Sequence, residues 1–314
     1  MIKKYKDIQD QLNLLRSLGS PKGDLTGFRQ LDEHFTVKQG SFTFILGAPH
    51  SGKSELSFEI GINQQRKYKK RALISSSETG SVADIYAELV HKLWGRSIYE
   101  DHPMPIKHDE LKKAIAYIDT WYSIIDTEEQ SYSFNDIFEM RTDEKIIIAD
   151  PYNEHKHDMT MYGARQDLYI EDLMGEVRRA NKKMDTHMLI SLHPGSQQLK
   201  EDKVNGQSIR YYPMPLAREA SGGQSLFRKA MTWINIWRPP TGLKGYHGRA
   251  YESNEAVYMV EKAKPKGVAN KGMGSLYYDY FRSRYFEKID DLKCYAFQHE
   301  KVAIDTTVTK DSPF

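Results

Sequence analysis

Eight consecutive residues, Gly47-Ala48-Pro49-His50-Ser51-Gly52-Lys53-Ser54, fit the spacing G-x-x-x-x-G-K-[ST]. Each residue type in that pattern has a task. The glycines let backbone N–H groups turn inward on a polyphosphate, the lysine reaches its outer phosphates, and the hydroxyl holds magnesium. The apolar run Phe42–Leu46 stands before the loop and a helical stretch from roughly Lys53 to Tyr68 follows it. A chance match in a Gly/Ser loop would lack that frame. The helix start adds its partial positive charge at the same place. The chemistry implied is ATP hydrolysis, with ATP and Mg2+ as ligands.

Three further residues sit where such a loop needs them. Asp150 ends the apolar run Ile146-Ile147-Ile148-Ala149 and supplies a carboxylate for the magnesium shell beside Ser54, unless it is only a turn or cap aspartate before Pro151. Glu78 emerges from Ser75-Ser76-Ser77, one crossover after Lys53, as a base for the attacking water; its plainer reading is a cap for a helix over about 82–93. His193 follows the run Met188–Leu192 and can contact a γ-phosphate, although a histidine at a strand end more often just fills a hydrogen bond.

What must position these groups is an alternation of strands and helices. Strand-like runs at Phe42–Leu46, Ala72–Ser75, Tyr122–Ile125, Ile146–Ala149, Met188–Leu192, Thr232–Trp237 and Ala256–Val260 are separated by helical stretches. That pattern predicts an α/β fold, a mostly parallel central sheet with helices on both faces, whose ligands lie at the carboxyl ends of the strands. Residues 1–22 read as an N-terminal helix and linker, 23–288 as the main domain and 289–314 as a tail. Two polar stretches read as loops able to grip phosphates: Gly195–Met214 with Lys200, Lys203 and Arg210, and the segment after Asp150 with His155, Lys156 and His157. Solvated surface excursions account for both equally well.

Composition narrows the class. Lys+Arg number 45 against 43 Asp+Glu in 314 residues, so a polyanion site has to be a local patch. A single cysteine, Cys294, leaves no intrachain disulfide and no cysteine-rich metal site, and fits a reducing cytoplasm. No apolar stretch approaches membrane-spanning length, so no membrane partner and a cytoplasmic location are expected.

The segment Thr26-Gly27-Phe28-Arg29-Gln30-Leu31-Asp32-Glu33-His34-Phe35, the phosphate loop, Ser77-Glu78, Asp150-Pro151-Tyr152-Asn153-Glu154 and His193-Pro194 together resemble the RecA-like motor domain of DnaB/Twinkle-type replicative ring helicases, including the phage primase-helicases. The likeness runs from about residue 23 to 287. It implies a RecA-like P-loop fold, DNA unwinding coupled to ATP hydrolysis in replication, and a homo-oligomeric ring, hexameric in that family, around single-stranded DNA. Lys53, Ser54 and Asp150 would bind nucleotide and magnesium, Glu78 would be the base and His193 the γ-phosphate sensor. Ser221-Gly222-Gly223 with Lys229-Ala230 resembles the segment bordering the channel, with Met231 where an acid is usual. The family reaches into the neighbouring nucleotide with a lysine and an arginine finger; here those places hold Lys262 and Lys264. Lysine carries the charge without the bidentate fork. No zinc ribbon or toprim-like domain precedes the motor, so a separate primase, and a loader, are the expected partners. A RecA/KaiC-like ATPase without unwinding activity and a low-turnover ring scaffold are the alternatives. The N-terminal helix is expected either to dock on an adjacent subunit or to fold back on its own domain.

Overall fold

The apolar runs fold as strands because nearly every residue in them loses water on both faces. The structure, a computed structural model, describes residues 2–19, 22–163, 165–264 and 268–298. In chain order the elements are α1 (Tyr5–Leu18), α2 (Arg29–Asp32), β1 (Ser41–Leu46), α3 (Lys53–Tyr68), β2 (Ala72–Ser76), α4 (Val82–Trp94), α5 (His108–Trp121), β3 (Tyr122–Ile124), α6 (Phe134–Met140), β4 (Ile146–Asp150) and α7 (Gln166–Met184). Then follow β5 (His187–Leu192), β6 (Lys200–Val204), β7 (Gln207–Tyr211), α8 (Gly223–Lys229), β8 (Thr232–Trp237), β9 (Glu255–Lys262), β10 (Gly272–Asp279), β11 (Arg284–Ile289) and β12 (Leu292–Tyr295).

Ten strands make one sheet in the order β12-β11-β10-β9-β8-β1-β5-β4-β2-β3. From β8 to β3 neighbours are parallel, as crossover helices require. From β8 to β12 they are antiparallel. Every residue of β1, β2, β4 and β5 is buried, which is why these strands read as unbroken apolar runs rather than alternations. One core packs α2, α3, α4 and α5 on one face around Leu31, Leu56, Leu89 and Ile118; the other packs α6, α7 and α8 around Phe138, Val177 and Leu226.

Two segments differ from the sequence reading. Residues expected to form a loop between Gly195 and Met214 contain an exposed antiparallel hairpin, β6–β7, turning at Asn205-Gly206 with both residues at positive φ. The sheet continues past Lys288 into β12, which pairs with β11. On helix α1, Leu12, Leu14 and Leu15 are 42%, 58% and 52% exposed.

Two histidines belong to the core. His187 bonds the Lys38 carbonyl through Nδ1 (2.7 Å) and Thr43 Oγ1 through Nε2 (3.1 Å). His155 bonds the Pro151 carbonyl through Nδ1 (2.8 Å) and Ser75 Oγ through Nε2 (3.2 Å). A carbonyl only accepts, so Nδ1 carries the proton and Nε2 accepts from the hydroxyl. Loss of hydration pushes both down to about 4 from the ordinary value of 6.5. Between those limits the unfolded chain binds protons that the folded chain does not. Stability is therefore complete above about 6.5 and is lost as pH falls toward 4, with a slope approaching about 1.4 kcal/mol per pH unit for each histidine. Denaturation midpoints across that window should show the decline, and His187→Gln should remove its share of the slope; an unchanged slope in the variant would reject the assignment.

Candidate nucleotide site

The carboxyl ends of β8, β1, β5, β4 and β2 lie side by side, so the residues that follow them meet at one edge of the sheet. After β1 the chain turns through Gly47–Ser54 into α3. The turn needs its glycines. A Cβ on Gly47 would lie 2.1 Å from Ser51 Oγ, and Gly52 holds a positive φ of 94° with the Tyr285 hydroxyl where its Cβ would be. Lys53 opens α3, is 3% exposed, and its Nζ donates to the Ala48 carbonyl at 3.4 Å. Loss of hydration lowers the Lys53 pKa, while Glu78 and then Asp150 pull it back up.

Asp150 is fully buried at the end of β4 and accepts hydrogen bonds from Ser76 (3.3 Å) and from Ser191. It is held by hydroxyls on both neighbouring strands rather than capping a helix. Its peptide bond to Pro151 is cis. Glu78 is likewise not the cap of α4: Ser81 occupies that place, its Oγ accepting from the Asp84 N–H. Glu78 instead accepts from His193 Nε2 at 2.5 Å. The structure thus brings the two residues together across the strand ends.

A cavity of about 500 Å³ opens over this edge, lined by Pro49, His50, Gly52, Lys53, Ser54, Glu78 and Thr79. These residues fit a polyphosphate. Among the described residues Ser51 Oγ is buried with no hydrogen-bond partner, and the glycine positions leave space that a side chain would fill. Ser54 and Asp150 offer one hydroxyl and one carboxylate, a donor set suited to a magnesium ion that keeps its waters and shares the substrate's phosphates.

The far wall was not anticipated from the sequence. Arg238, just past β8, and Tyr278 and Tyr285, on β10 and β11, close the cavity, the Tyr285 hydroxyl donating to the Gly52 carbonyl at 3.4 Å. Beneath it, fully buried Lys92 pairs with Glu55 and, at 3.0 Å, with Glu88, both cavity residues, and donates to the Ser283 carbonyl at 2.6 Å. The pairing of Glu88 with Lys92 at i,i+4 was the available signal, but alone it reads as a surface pair.

Other candidates lie elsewhere. Lys262 donates to the Phe227 and Arg228 carbonyls, capping the C-terminus of α8, and loss of hydration followed by the charge on Lys264 pushes its pKa down to about 8. Lys264 lines a basic cavity of about 290 Å³ with Arg178, Arg228, Lys229, Ala230 and Met231. Lys200, Lys203 and Arg210 stand on the exposed hairpin, where Arg210 pairs with Glu201 at 3.3 Å. The segment after Asp150 is corrected. His155 is a core residue and His157 bonds Tyr169 and the Tyr152 carbonyl, which leaves Lys156 exposed.

No family model matches the chain. Over 208 residues, 60% of this chain, it is 26% identical to the "Twinkle homolog protein, chloroplastic/mitochondrial" of Arabidopsis thaliana, and the match spans 28% of that protein's length. The ATPase domain of G40P is similar with a TM-score of 0.66 at 14% identity, over 91% of this chain and 99% of that one. A DnaB-like replicative helicase, solved in a study of its interactions with primase, is similar with a TM-score of 0.64 at 15% identity, over 91% of this chain and 67% of that one. Among the described residues no helix is long and apolar enough to cross a membrane. The shared architecture makes this a RecA-like fold similar to that of DnaB-like helicase domains, and the sequence is similar to the Twinkle homologue over part of its length.

Proposed function

We propose that the chain is an ATP-driven DNA helicase motor that moves on single-stranded DNA as a homo-oligomeric ring, hexameric as in the family it resembles. The observation that carries this reading is the meeting of Lys53, Ser54, Asp150, Glu78 and His193 at one edge of the sheet. ATP would lie with its phosphates on Gly47–Ser54 and its base against Arg238, Tyr278 or Tyr285. Mg2+ would be held by Ser54 and Asp150, and when bound it draws charge from the phosphate oxygens. Lys53 stabilises the charge that builds on the transferring phosphoryl group. Glu78 takes a proton from the water that attacks the γ-phosphorus as the bond to ADP breaks. In the present arrangement His193 donates to that carboxylate and occupies it. Transfer of the His193 contact to a γ-phosphate oxygen would free Glu78, so that cleavage awaits a full triphosphate.

Lys264, in its cluster of cations, is the candidate for acting on the neighbouring subunit's nucleotide, with Lys262 bracing α8 beneath it. Because Lys262 is already engaged by α8 carbonyls and no arginine stands at either place, a slow-turnover ring component is the second reading. A separate primase and a loader are the proposed partners.

The hairpin β6–β7 is the proposed grip on DNA, with Lys200, Lys203 and Arg210 on phosphates and Lys156 as a further contact. Reversing charge at Lys200 and Lys203 should weaken single-stranded DNA binding alike for all sequences and flatten its salt dependence, since phosphate contacts carry no base information. Basal hydrolysis should persist, while DNA stimulation and strand displacement from a forked duplex fall together. Unchanged affinity and salt slope would remove the hairpin from the DNA path. Displacement absent from the parental protein, with stimulated hydrolysis present, would favour a motor without unwinding activity.

A further inference from the structure

A second cavity, of about 820 Å³, lies between the last turns of α3, the end of α4, the start of α5 and the β11–β12 ribbon. It is remote from the phosphate loop: Arg66 stands thirteen positions after Lys53 along α3, a rise of roughly 20 Å. Its wall is strongly cationic. Two of the lining cations, Lys92 and Arg284, are matched by carboxylates, half-buried Glu55 and Glu88 for the first and buried Glu59 for the second. Arg66, Lys67, Arg96, Lys113 and Arg282 line it as well, and Glu110 is the one carboxylate among the lining residues. Among the described residues no hydrogen bond or ion pair engages the side chains of Arg96 or Lys113, and Arg282 is turned over the Tyr295 ring at 5.4 Å. Trp94 and Phe297 add half-buried aromatic surface to the same wall.

Concentrated positive charge raises the local concentration of anions, and a concave site with aromatic walls suits a ligand that joins phosphates to a flat base. The volume falls in the range of small-molecule sites. We propose that this cavity is a second anion site, which binds the phosphates of a polyphosphate ligand on Arg96, Lys113 and Arg282 and does not hydrolyse it. That chemistry is shared by a free nucleoside triphosphate and by a few nucleotides of a single strand. Lys92 touches this cavity on one side and, through Glu55 and Glu88, the nucleotide cavity on the other, so the two sites share a buried wall.

Calorimetric titration of inorganic tripolyphosphate into the Lys53→Ala protein tests the proposal without help from the phosphate loop. One binding event is expected. Arg96→Glu with Arg282→Glu should weaken it at least tenfold, Arg96→Gln with Arg282→Gln at least threefold, and Lys183→Glu on the opposite face should leave it unchanged, all three with parental melting temperatures. Parallel titrations with ATP and with a short oligothymidylate, competed by tripolyphosphate, identify the source of the phosphates. Absence of binding to Lys53→Ala protein, or equal affinity in the glutamine pair, would overturn the site. ATP binding by protein that retains Lys53 is a separate measurement, so the phosphate-loop reading stands or falls independently.

Discussion

Glu78→Gln should bind ATP with near-parental affinity and hydrolyse it at least about a hundredfold more slowly, the lower end of what a positioned general base contributes. The amide keeps the size of the side chain but cannot take the water's proton. Its contact with His193 should persist, now to an amide oxygen, because the two residues meet at 2.5 Å over the end of β4, which lies between their strands. Lys53→Ala should fail differently. Lys53 is 3% exposed and aimed back over its own loop, so its loss should weaken nucleotide binding as well as stop turnover. Equilibrium binding of a fluorescent ATP analogue, read beside steady-state phosphate release, separates the two. Glu78→Gln protein that released phosphate at the parental rate would assign the base elsewhere in the cavity.

Arg284→Met should be the most destabilising single change in the framework that carries the site. Arg284 on β11 meets Glu59 on α3 through Nε (2.7 and 2.9 Å) and Nη2, with side chains 8% and 0% exposed. It also donates to the Lys92 carbonyl at 3.1 Å and to Asn63 at 3.2 Å. Removing one partner leaves a carboxylate buried without compensation, at a cost of about 3–5 kcal/mol. Replacing both partners, as in Glu59→Leu with Arg284→Met, should recover much of that loss. The midpoint of chemical denaturation at constant slope is the measurement. A single variant within about 1 kcal/mol of the parent would mean that water reaches Glu59.

Much of the nucleotide half of the site was legible because its signals are local. The phosphate loop is contiguous, Asp150 and His193 each end an apolar run whose unbroken character marks a strand buried on both faces, and Glu78 follows a third strand after three serines. The rest depends on contacts distant in sequence. Tyr278 and Tyr285 reach the loop only because the sheet curls through β9, β10 and β11, and nothing in their own neighbourhood announces a nucleotide. Lys92 lies among Leu89, Val90 and Leu93, where a lysine looks like a solvated interruption; its burial is set by Glu55, thirty-seven positions away. The hairpin escaped because both faces of β6 and β7 are wet, so no apolar alternation marks them as strands. His155 and His157 looked like loop residues because the core they enter is built by other segments.

The two margins of the ten-stranded sheet are brief. One ends in β3, three residues long, and the other in β12, four residues long. An open margin is a template on which another chain can add a strand, and short ones present few free N–H and C=O groups to be copied. Copies of this chain therefore gain little by extending one another's sheets into a ribbon. In the proposed ring, self-association would fall to side chains on the flanks, which can separate and re-form without unzipping a ladder of backbone bonds, so that subunits could shift against one another while each sheet stays whole.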